Sequence, residues 1–327
     1  MGRKQGPRAG SMQIWPRCKA QKFLPRVNWA PVMTTSLKTP SKPNFLGFVG
    51  YKAGMASAFV KDSTPESMTK GKRIIVPVTI LECPTMKILS VRFYKNKKVI
   101  NEVLNDNLDK ELIRIIRMPV KKIAAKELIE KIEKENNFDE IKAVLYSEAK
   151  KTEIKRTPDI SEIGISGKLS EKLAFIKENL AKEISVTDVF QKGLVDLRGL
   201  TKGKGWEGAV RRFGITYRSH KAEKGQRRVG SIGAWHPLGV RFTVPRAGQL
   251  GLFTRVHYNQ VVIASKKFDE KDINTKRVFD HYGKLNTDYV IVSGSVQGVQ
   301  KRQVLLTSAM RPLKKHSKKL YELIELR

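Results

Sequence analysis

The chain has 327 residues, of which 64 are lysine or arginine and 31 are aspartate or glutamate, so its formal net charge is +33. Repulsion among so many unbalanced positive charges opposes compaction, which predicts a polyanionic partner and makes nucleic acid the leading candidate. The sequence has no run of about 18 apolar residues that could span a membrane, and its two cysteines exclude a disulfide framework.

Residues 1–44 are predicted to form an extended basic N-terminal arm. They contain nine basic residues, no acidic residue, six prolines and three glycines, which interrupt helices and strands. Their apolar residues, including Trp15 and Trp29, follow no period. We interpret the segment as an arm that orders only on a polyanion, and a plain flexible tail is the alternative. Without the apolar run of a signal peptide, the chain is expected to be cytoplasmic.

Short β-branched segments predict the strands of a closed β-barrel core at residues 45–96, 185–200 and 253–310. The predicted strands are 45–51, 56–61, 73–82, 87–94, 193–200, 256–264, 289–293 and 302–306. Closing a sheet into a barrel removes its exposed edges, which suits a core of this kind. Cys83, at the end of a predicted strand, is expected to be a core residue.

Residues 97–184 are predicted to form a neutral α-rich insertion into this barrel. Between positions 100 and 184 there are 17 acidic and 17 basic residues. Apolar residues at helical spacing predict helices at 106–117, 123–136 and 169–182. Because the charges balance, we expect the module to face solvent or protein, and we assign no chemistry to it. The predicted fold class is therefore mainly β with an α insertion (α+β).

Residues 201–252 are predicted to form a basic Gly-rich loop that interrupts the barrel a second time. From Arg198 to Arg255 there are 13 basic residues and only two acidic ones, Glu207 and Glu223. The segment has too few apolar residues for a core of its own, and a long insertion of this kind is usually functional. Residues 311–327 add a basic C-terminal segment.

Trp235 and His236 occupy the centre of the basic loop. Trp235 lies between Gly233 and Pro237 with no local core to join, so it either stacks on a nucleobase or packs back onto the barrel. The sequence favours stacking, with His236 as a weaker candidate for a hydrogen bond to RNA. For Trp206 the two interpretations are evenly balanced.

Basic and aromatic residues of the arm, the loop and the C-terminal segment are the candidate RNA-binding residues, because they suit phosphate contacts and base stacking. They are Arg3, Lys4, Arg8, Arg17, Lys19, Lys22, Arg26, Lys202, Lys204, Trp206, Arg211, Arg212, Arg218, His220, Lys221, Arg227, Arg228, Trp235, His236, Arg241, Arg246, Arg255, Lys314 and Lys315.

The sequence predicts no catalytic residue, no cofactor and no metal site. Gly203, Gly205 and Gly208 match a dinucleotide-binding glycine pattern, but Arg227 and Arg228 occupy the region where that site requires an acidic residue. The five histidines are not at metal-ligand spacing. An RNA-modifying or RNA-processing enzyme with a barrel core is the alternative from another class, and a DNA-architectural protein is a second alternative.

Two segments carry a resemblance to a known family. The sequences VDLRGLTKGKGWEGAVRRFG and GQRRVGSIGAWHPLGVRFTVPRAGQLG resemble the signature of the large-subunit ribosomal protein L-three family, and FLGFVGYKAGM resembles its first barrel strands. The head, with RAGSMQIWPRCKA and PRVNW, and the pair Trp235-His236 resemble the archaeal and eukaryotic branch. The chain length favours the archaeal type.

The resemblance implies a structural constituent of the large ribosomal subunit, in the cytoplasm, without enzymatic activity. It implies a primary rRNA-binding protein that binds near the 3′ end of the large rRNA, nucleates subunit assembly and extends the loop 201–252 toward the peptidyl-transferase centre. The implied partners are large-subunit rRNA and neighbouring ribosomal proteins of the L-fourteen and L-twenty-four-e types. Neither a membrane nor a homo-oligomer is implied.

Overall fold

The computed structural model describes residues 15–37, 42–119, 124–268 and 279–327. The chain divides into two compact units. The first, called the basic unit below, consists of Met1–Phe23 and Leu200–Arg255. The second, called the core unit, consists of Leu24–Gly199 and Val256–Arg327.

Strands dominate the described residues. In chain order they are β1 (Gly47–Asp62), β2 (Arg73–Glu82), β3 (Met86–Lys95), β4 (Lys98–Leu104), β5 (Glu140–Ser147), β6 (Ile160–Gly164), β7 (Gly193–Leu200), β8 (Gly205–Glu207), β9 (Gly248–Leu250), β10 (Thr254–Lys266), β11 (Tyr289–Ser293), β12 (Gln303–Ser308) and β13 (Tyr321–Leu326). The α-helices are α1 (Ala30–Leu37), α2 (Ala125–Glu135), α3 (Leu169–Asn179), α4 (Val186–Val189), α5 (Ala209–Phe213) and α6 (Lys314–Ser317), and 3-10 helices cover Lys110–Arg114 and Ala149–Thr152. The structure therefore confirms a mainly β, α+β fold.

The larger sheet of the core unit has seven strands in the order β12-β7-β10-β11-β2-β1-β13. Strand β1 is long enough to serve several partners, because Gly47–Tyr51 pairs with β12 and Ala58–Asp62 pairs with β13. Its other edge pairs with β2. The predicted strands 193–200 and 289–293 agree with β7 and β11.

Two predicted strands, 45–51 and 56–61, are wrong as separate elements, because both lie within β1. The register of β1 against β2 shifts between Lys52 and Gly54. A bulge of this kind absorbs an extra residue and bends the strand without ending it. The glycine-containing segment that suggested a break is therefore an irregularity inside one continuous strand.

A second sheet, of four strands in the order β4-β3-β5-β6, lies in the core unit. The assignment of the predicted strand 87–94 to the barrel sheet is therefore wrong, because β3 pairs with β4 and β5. The helices predicted at 123–136 and 169–182 are present as α2 and α3. The segment predicted as a helix at 106–117 contains only the short 3-10 helix Lys110–Arg114, so the insertion is less helical than expected.

The interpretation of residues 1–44 as one extended arm is wrong for its second half. Residues 30–37 form α1, and Trp29 is 1% exposed in the main hydrophobic core. Pro31 is tolerated there because a proline in the first helical turn removes no intrahelical hydrogen bond. The described residues of the first half of the predicted arm, 15–23, belong to the basic unit.

The main hydrophobic core of the core unit contains apolar side chains of both sheets. Phe48, Val49, Leu305 and Leu306 are all fully buried on the paired strands β1 and β12. Cys83 is also fully buried, which confirms its predicted place in the core. Within the described ranges, no helix is long and apolar enough to cross a membrane.

Candidate nucleic-acid interface

A two-stranded ribbon closes the base of the basic loop. Trp206 on β8 pairs with Gln249 on β9, so the chain leaves and re-enters the ribbon at one place. Gly251 lies just beyond it with φ of 75°, and an added Cβ would lie 2.0 Å from the carbonyl oxygen of Lys202. Only glycine fits this close approach, so the sequence itself specifies the loop base.

The loop contains little regular structure. Helix α5 follows β8 and ends at Gly214, which has φ of 68°. From Gly214 to Ala247 the described residues form neither helix nor strand. All residues from Ser231 to Val240 are exposed. The structure thus agrees with the sequence in giving this stretch no core of its own.

The N-terminal segment of the basic unit is attached to the loop base. The backbone N–H of Ala20 donates to the carbonyl of Leu252 at 3.0 Å. Arg17 donates from Nη1 to the carbonyl of Arg212 at 2.8 Å, and Arg212 donates from Nη2 to the carbonyl of Arg17 at 3.1 Å. Two segments far apart in sequence therefore fold together.

Several predicted RNA-binding arginines are bonded within the loop. Arg218 donates from Nη2 to the carbonyls of Val229 and Gly230. Arg211 forms an ion pair with Glu207 at 2.6 Å. Some of the guanidinium N–H groups of these arginines are already bonded within the protein. A phosphate that uses the same N–H groups must displace those bonds.

Two further arginines rest on aromatic rings. Arg227 donates to the hydroxyl of Tyr217 at 2.9 Å, and its guanidinium lies 5.2 Å from the centre of that ring. The guanidinium of Arg255 lies 5.2 Å from the ring centre of Phe253. Cation–π contacts of this kind hold a guanidinium in place while leaving an edge for phosphate.

Another group of predicted site residues presents its charge to solvent. Among the described residues the side chains of this group are exposed and make no hydrogen bond or ion pair. They are Lys19, Lys22, Arg26, Lys202, Lys204, Lys221, Arg228, Arg241, Arg246, Lys314 and Lys315. Their ammonium and guanidinium groups are available for phosphate. His220 is exposed as well.

The predicted site residues do not all fall in one unit. Arg26, Lys314 and Lys315 belong to the core unit, whereas the loop residues and Lys19 belong to the basic unit. Arg3, Lys4 and Arg8 lie outside the described residues. The RNA-binding roles assigned from the sequence stay predictions.

Both loop tryptophans face solvent. Trp235 is 80% exposed and Trp206 is 79% exposed. The rings of Trp235 and His236 lie edge to face with centroids 6.5 Å apart. Within the basic unit Trp235 is therefore not packed into a core, and an aromatic face is open to a ligand.

An aromatic cluster near the loop base was not predicted from the sequence. Trp15 lies 5.7 Å from Phe213 and 5.1 Å from Phe242, measured between ring centroids. Phe242 is nevertheless 70% exposed. An exposed ring supported by a second ring is a candidate platform for base stacking. Only the position of Phe242 among the basic residues of RFTVPR hinted at this role.

The described residues show no arrangement that suggests metal chemistry. Within them, no three His, Cys, Asp or Glu side chains are grouped in a way that could hold a metal ion. What this surface offers is exposed positive charge, backbone N–H groups in glycine-rich turns and open aromatic faces. Those are the groups that contact the phosphates and unstacked bases of RNA.

Comparison with known proteins relates the whole chain to one family. The family model described as Ribosomal protein L3 matches residues 1–327. The chain is 39% identical to the large ribosomal subunit protein uL3 of Methanocaldococcus jannaschii, across 94% of this chain and 92% of the relative. It is 38% identical to uL3 of Archaeoglobus fulgidus, across 95% and 93% of the two chains. It is 39% identical to uL3 of Methanobrevibacter smithii, across 95% and 94%.

Proposed function

The chain belongs to the ribosomal protein L3 family, as its sequence motifs predicted, and we propose that it is a structural constituent of the large ribosomal subunit that binds rRNA. The relatives are named as proteins of the large ribosomal subunit and are archaeal, in agreement with the predicted archaeal type. The proposal places the protein in the cytoplasm, within the ribosome.

The main support for the rRNA-binding proposal is that the basic loop exposes both its positively charged side chains and its aromatic rings to solvent. Lys204, Arg228 and Arg241 point exposed cationic groups at solvent on the same loop that leaves Trp235 80% exposed. A protein in isolation gains nothing from either feature. RNA satisfies both, because its backbone is anionic and its unpaired bases stack on aromatic side chains.

We infer that the strands of the larger sheet form a closed barrel. The pairing order β12-β7-β10-β11-β2-β1 returns to β12 through the additional pairing of β1 with β12. A circular order of this kind leaves no free edge among those six strands, and β13 adds to β1 outside the ring. Strands β3 to β6 with α2 and α3 form the neutral insertion in this proposal.

The finer roles follow from family membership. We propose that the protein binds early near the 3′ end of the large rRNA, nucleates assembly, and extends residues 201–252 toward the peptidyl-transferase centre without taking part in catalysis. Its proposed neighbours are the L-fourteen and L-twenty-four-e types of ribosomal protein. The exposed Trp235-His236 pair near the middle of the loop supports an RNA contact at the loop tip.

Binding to defined RNA fragments tests this function. The purified chain should bind a transcript of the 3′ region of the large rRNA more tightly than a small-subunit transcript of equal length, with an affinity that falls steeply with salt. In extracts it should sediment with large subunits at about 0.5 M salt, where simple electrostatic binding is weak. Release at that salt, or equal affinity for both transcripts, would contradict the proposal and favour an RNA-modifying or RNA-processing enzyme that binds its substrate transiently.

A further inference from the structure

Arg212 donates to three backbone carbonyls, which come from two separate segments of the basic unit. Its Nε donates to the carbonyl of Gln249 at 3.0 Å, its Nη1 to that of Arg246 at 3.0 Å, and its Nη2 to that of Arg17 at 3.1 Å. Every nitrogen of the guanidinium therefore has a partner in the protein. A phosphate cannot use these three N–H groups without breaking their bonds, which leaves it one N–H on each Nη.

Arg17 returns the contact. Its Nη1 donates to the carbonyl of Arg212 at 2.8 Å, and its guanidinium lies 4.2 Å from the ring centre of Phe213. Each arginine side chain thus binds the other residue's backbone. The pair joins the N-terminal segment at residue 17 to helix α5 at residue 212. Through its bonds to Arg246 and Gln249, Arg212 also links the returning side of the loop to these two segments.

Gly248, which has no side chain, leaves room for the guanidinium of Arg212. A Cβ added to Gly248 would lie 2.9 Å from Nη1 of Arg212 and 3.0 Å from its Cζ. Distances this short force one of the groups to move. Gly248 is itself buried, so the guanidinium occupies a slot that a side chain at position 248 would fill.

We propose that Arg212, together with Arg17, is a positioning residue for RNA binding rather than a phosphate ligand. The reciprocal pair holds the N-terminal segment and both sides of the basic loop in one arrangement before RNA arrives. RNA then meets an assembled surface, and binding does not bear the entropy cost of bringing these segments together. This inference rests on the proposed rRNA-binding function.

Charge-preserving variants separate positioning from phosphate contact. Arg212→Lys keeps the positive charge, but a lysine cannot reach three carbonyls with a planar fork. Gly248→Ala alters no charge and displaces the guanidinium. We expect each variant to weaken binding to the 3′-region transcript about tenfold, because only a fraction of the protein is then in the competent arrangement. The slope of log affinity against log salt should stay at the wild-type value.

Lys204→Met is the matched comparison, because the Lys204 side chain is exposed and makes no hydrogen bond or ion pair among the described residues. Loss of one phosphate contact makes the salt slope shallower by about 0.9 at duplex charge density. Wild-type affinity in both Arg212→Lys and Gly248→Ala would overturn the proposal. So would Arg212→Met with a slope as shallow as that of Lys204→Met.

Hydrogen exchange of the free protein tests the pair without RNA. The amide of Ala20, bonded to Leu252, should exchange faster in Arg212→Lys and Arg17→Lys than in wild type. The amide of Cys83, bonded to Asp288 in the core unit, is the reference and should be unchanged. Unchanged exchange at Ala20 would refute the pair as a preassembling contact. If the wild-type chain fails to bind RNA while Ala20 responds as expected, only the proposed function fails.

Discussion

Trp29 donates its indole N–H to the backbone carbonyl of Glu162 at 2.9 Å and is 1% exposed. Glu162 lies on β6, so a residue just before α1 is joined to the edge of the four-stranded sheet. Two glycines accommodate the indole: an added Cβ at Gly47 would lie 2.6 Å from the ring, and one at Gly164 would lie 3.2 Å from it. The segment around Trp29 is therefore a structural part of the core unit.

Replacing Trp29 by alanine should destabilise the free protein. Removing a large buried aromatic side chain costs about 3–5 kcal/mol, because transfer free energy is lost and a cavity remains. Urea unfolding monitored by circular dichroism measures the loss. Trp206→Ala is the control, since Trp206 is 79% exposed, and its unfolding free energy should stay within about 0.5 kcal/mol of wild type. Equal stability of Trp29→Ala and wild type would contradict the burial of this residue.

Trp235→Ala should leave the free protein stable and change the RNA around the loop tip. Because Trp235 is 80% exposed, its removal creates no cavity, and the melting temperature should barely move. The loss of a stacked base, worth about 1–3 kcal/mol, should instead alter the chemical reactivity of rRNA near the peptidyl-transferase centre in mutant ribosomes. Reactivity identical to wild type at all those nucleotides would refute stacking. Trp235→Phe, which keeps an aromatic face, should restore most of the wild-type pattern.

Exposed cations of the loop and of the insertion should differ in their effect on RNA binding. Lys204→Gln with Arg228→Gln should weaken binding and make the salt slope shallower by about 0.9 per lost contact. The matched pair Lys131→Gln with Lys134→Gln, on the exposed face of α2, removes the same charge. It should change affinity little, because the insertion is neutral overall and is expected to face solvent or protein. Equal losses from both pairs would mean that net charge alone governs binding.

Asp62 should make stability fall in acid. Burial opposes ionisation of this carboxylate, but hydrogen bonds from Thr64, Thr69 and Ser67 outweigh it and hold the pKa of Asp62 well below its ordinary value of 3.8. The backbone N–H of Thr64 donates at 2.9 Å and the Ser67 hydroxyl at 2.8 Å. At pH values below the ordinary pKa of 3.8, Asp62 therefore binds fewer protons in the folded state than in the unfolded chain. The ionised Asp62 carboxylate therefore stabilises the folded state above about pH 4, and this stabilisation is lost as the pH falls toward the lowered pKa of Asp62.

The variant Asp62→Asn tests this pH dependence. At pH 7 it should lower the free energy of unfolding by about 1.5–3 kcal/mol, the usual worth of hydrogen bonds to a charged group. The difference from wild type should shrink as the pH is lowered from 4 toward 2, measured by urea unfolding at each pH. The exposed Glu66, in the same turn region, provides the control variant Glu66→Gln. A constant difference across that range would contradict the assignment.

Local patterns predicted the elements whose cause is local. Strands β2 and β11 were found at their observed bounds because β-branched residues with glycine nearby specify an extended segment by themselves. Helices α2 and α3 were found from the spacing of their apolar residues. Strand β13 was not predicted from the sequence. It is short, has Glu322 and Glu325 among its apolar residues, and lies beside a run of lysines. Its identity as a strand depends on pairing with β1.

The candidate interface divides in the same way. The excess of basic residues between Arg198 and Arg255, and the lack of a core around Trp235, are properties of composition, so the sequence alone predicted that this segment meets a polyanion. Composition could not distinguish Arg212 from Arg228. Both are arginines in the same loop, yet the first is bound by carbonyls from distant segments and the second is exposed.

The sequence by itself determined the family, the charge and the exposed loop, because each depends on residue types and their order. The tertiary structure alone decided the place of Trp29, the pairing of β1 with β12, and the partners of Arg212. Each of those depends on groups brought together from distant parts of the chain. Such contacts form only when apolar burial and backbone hydrogen bonding across the whole fold offset the entropy of closing the intervening loops.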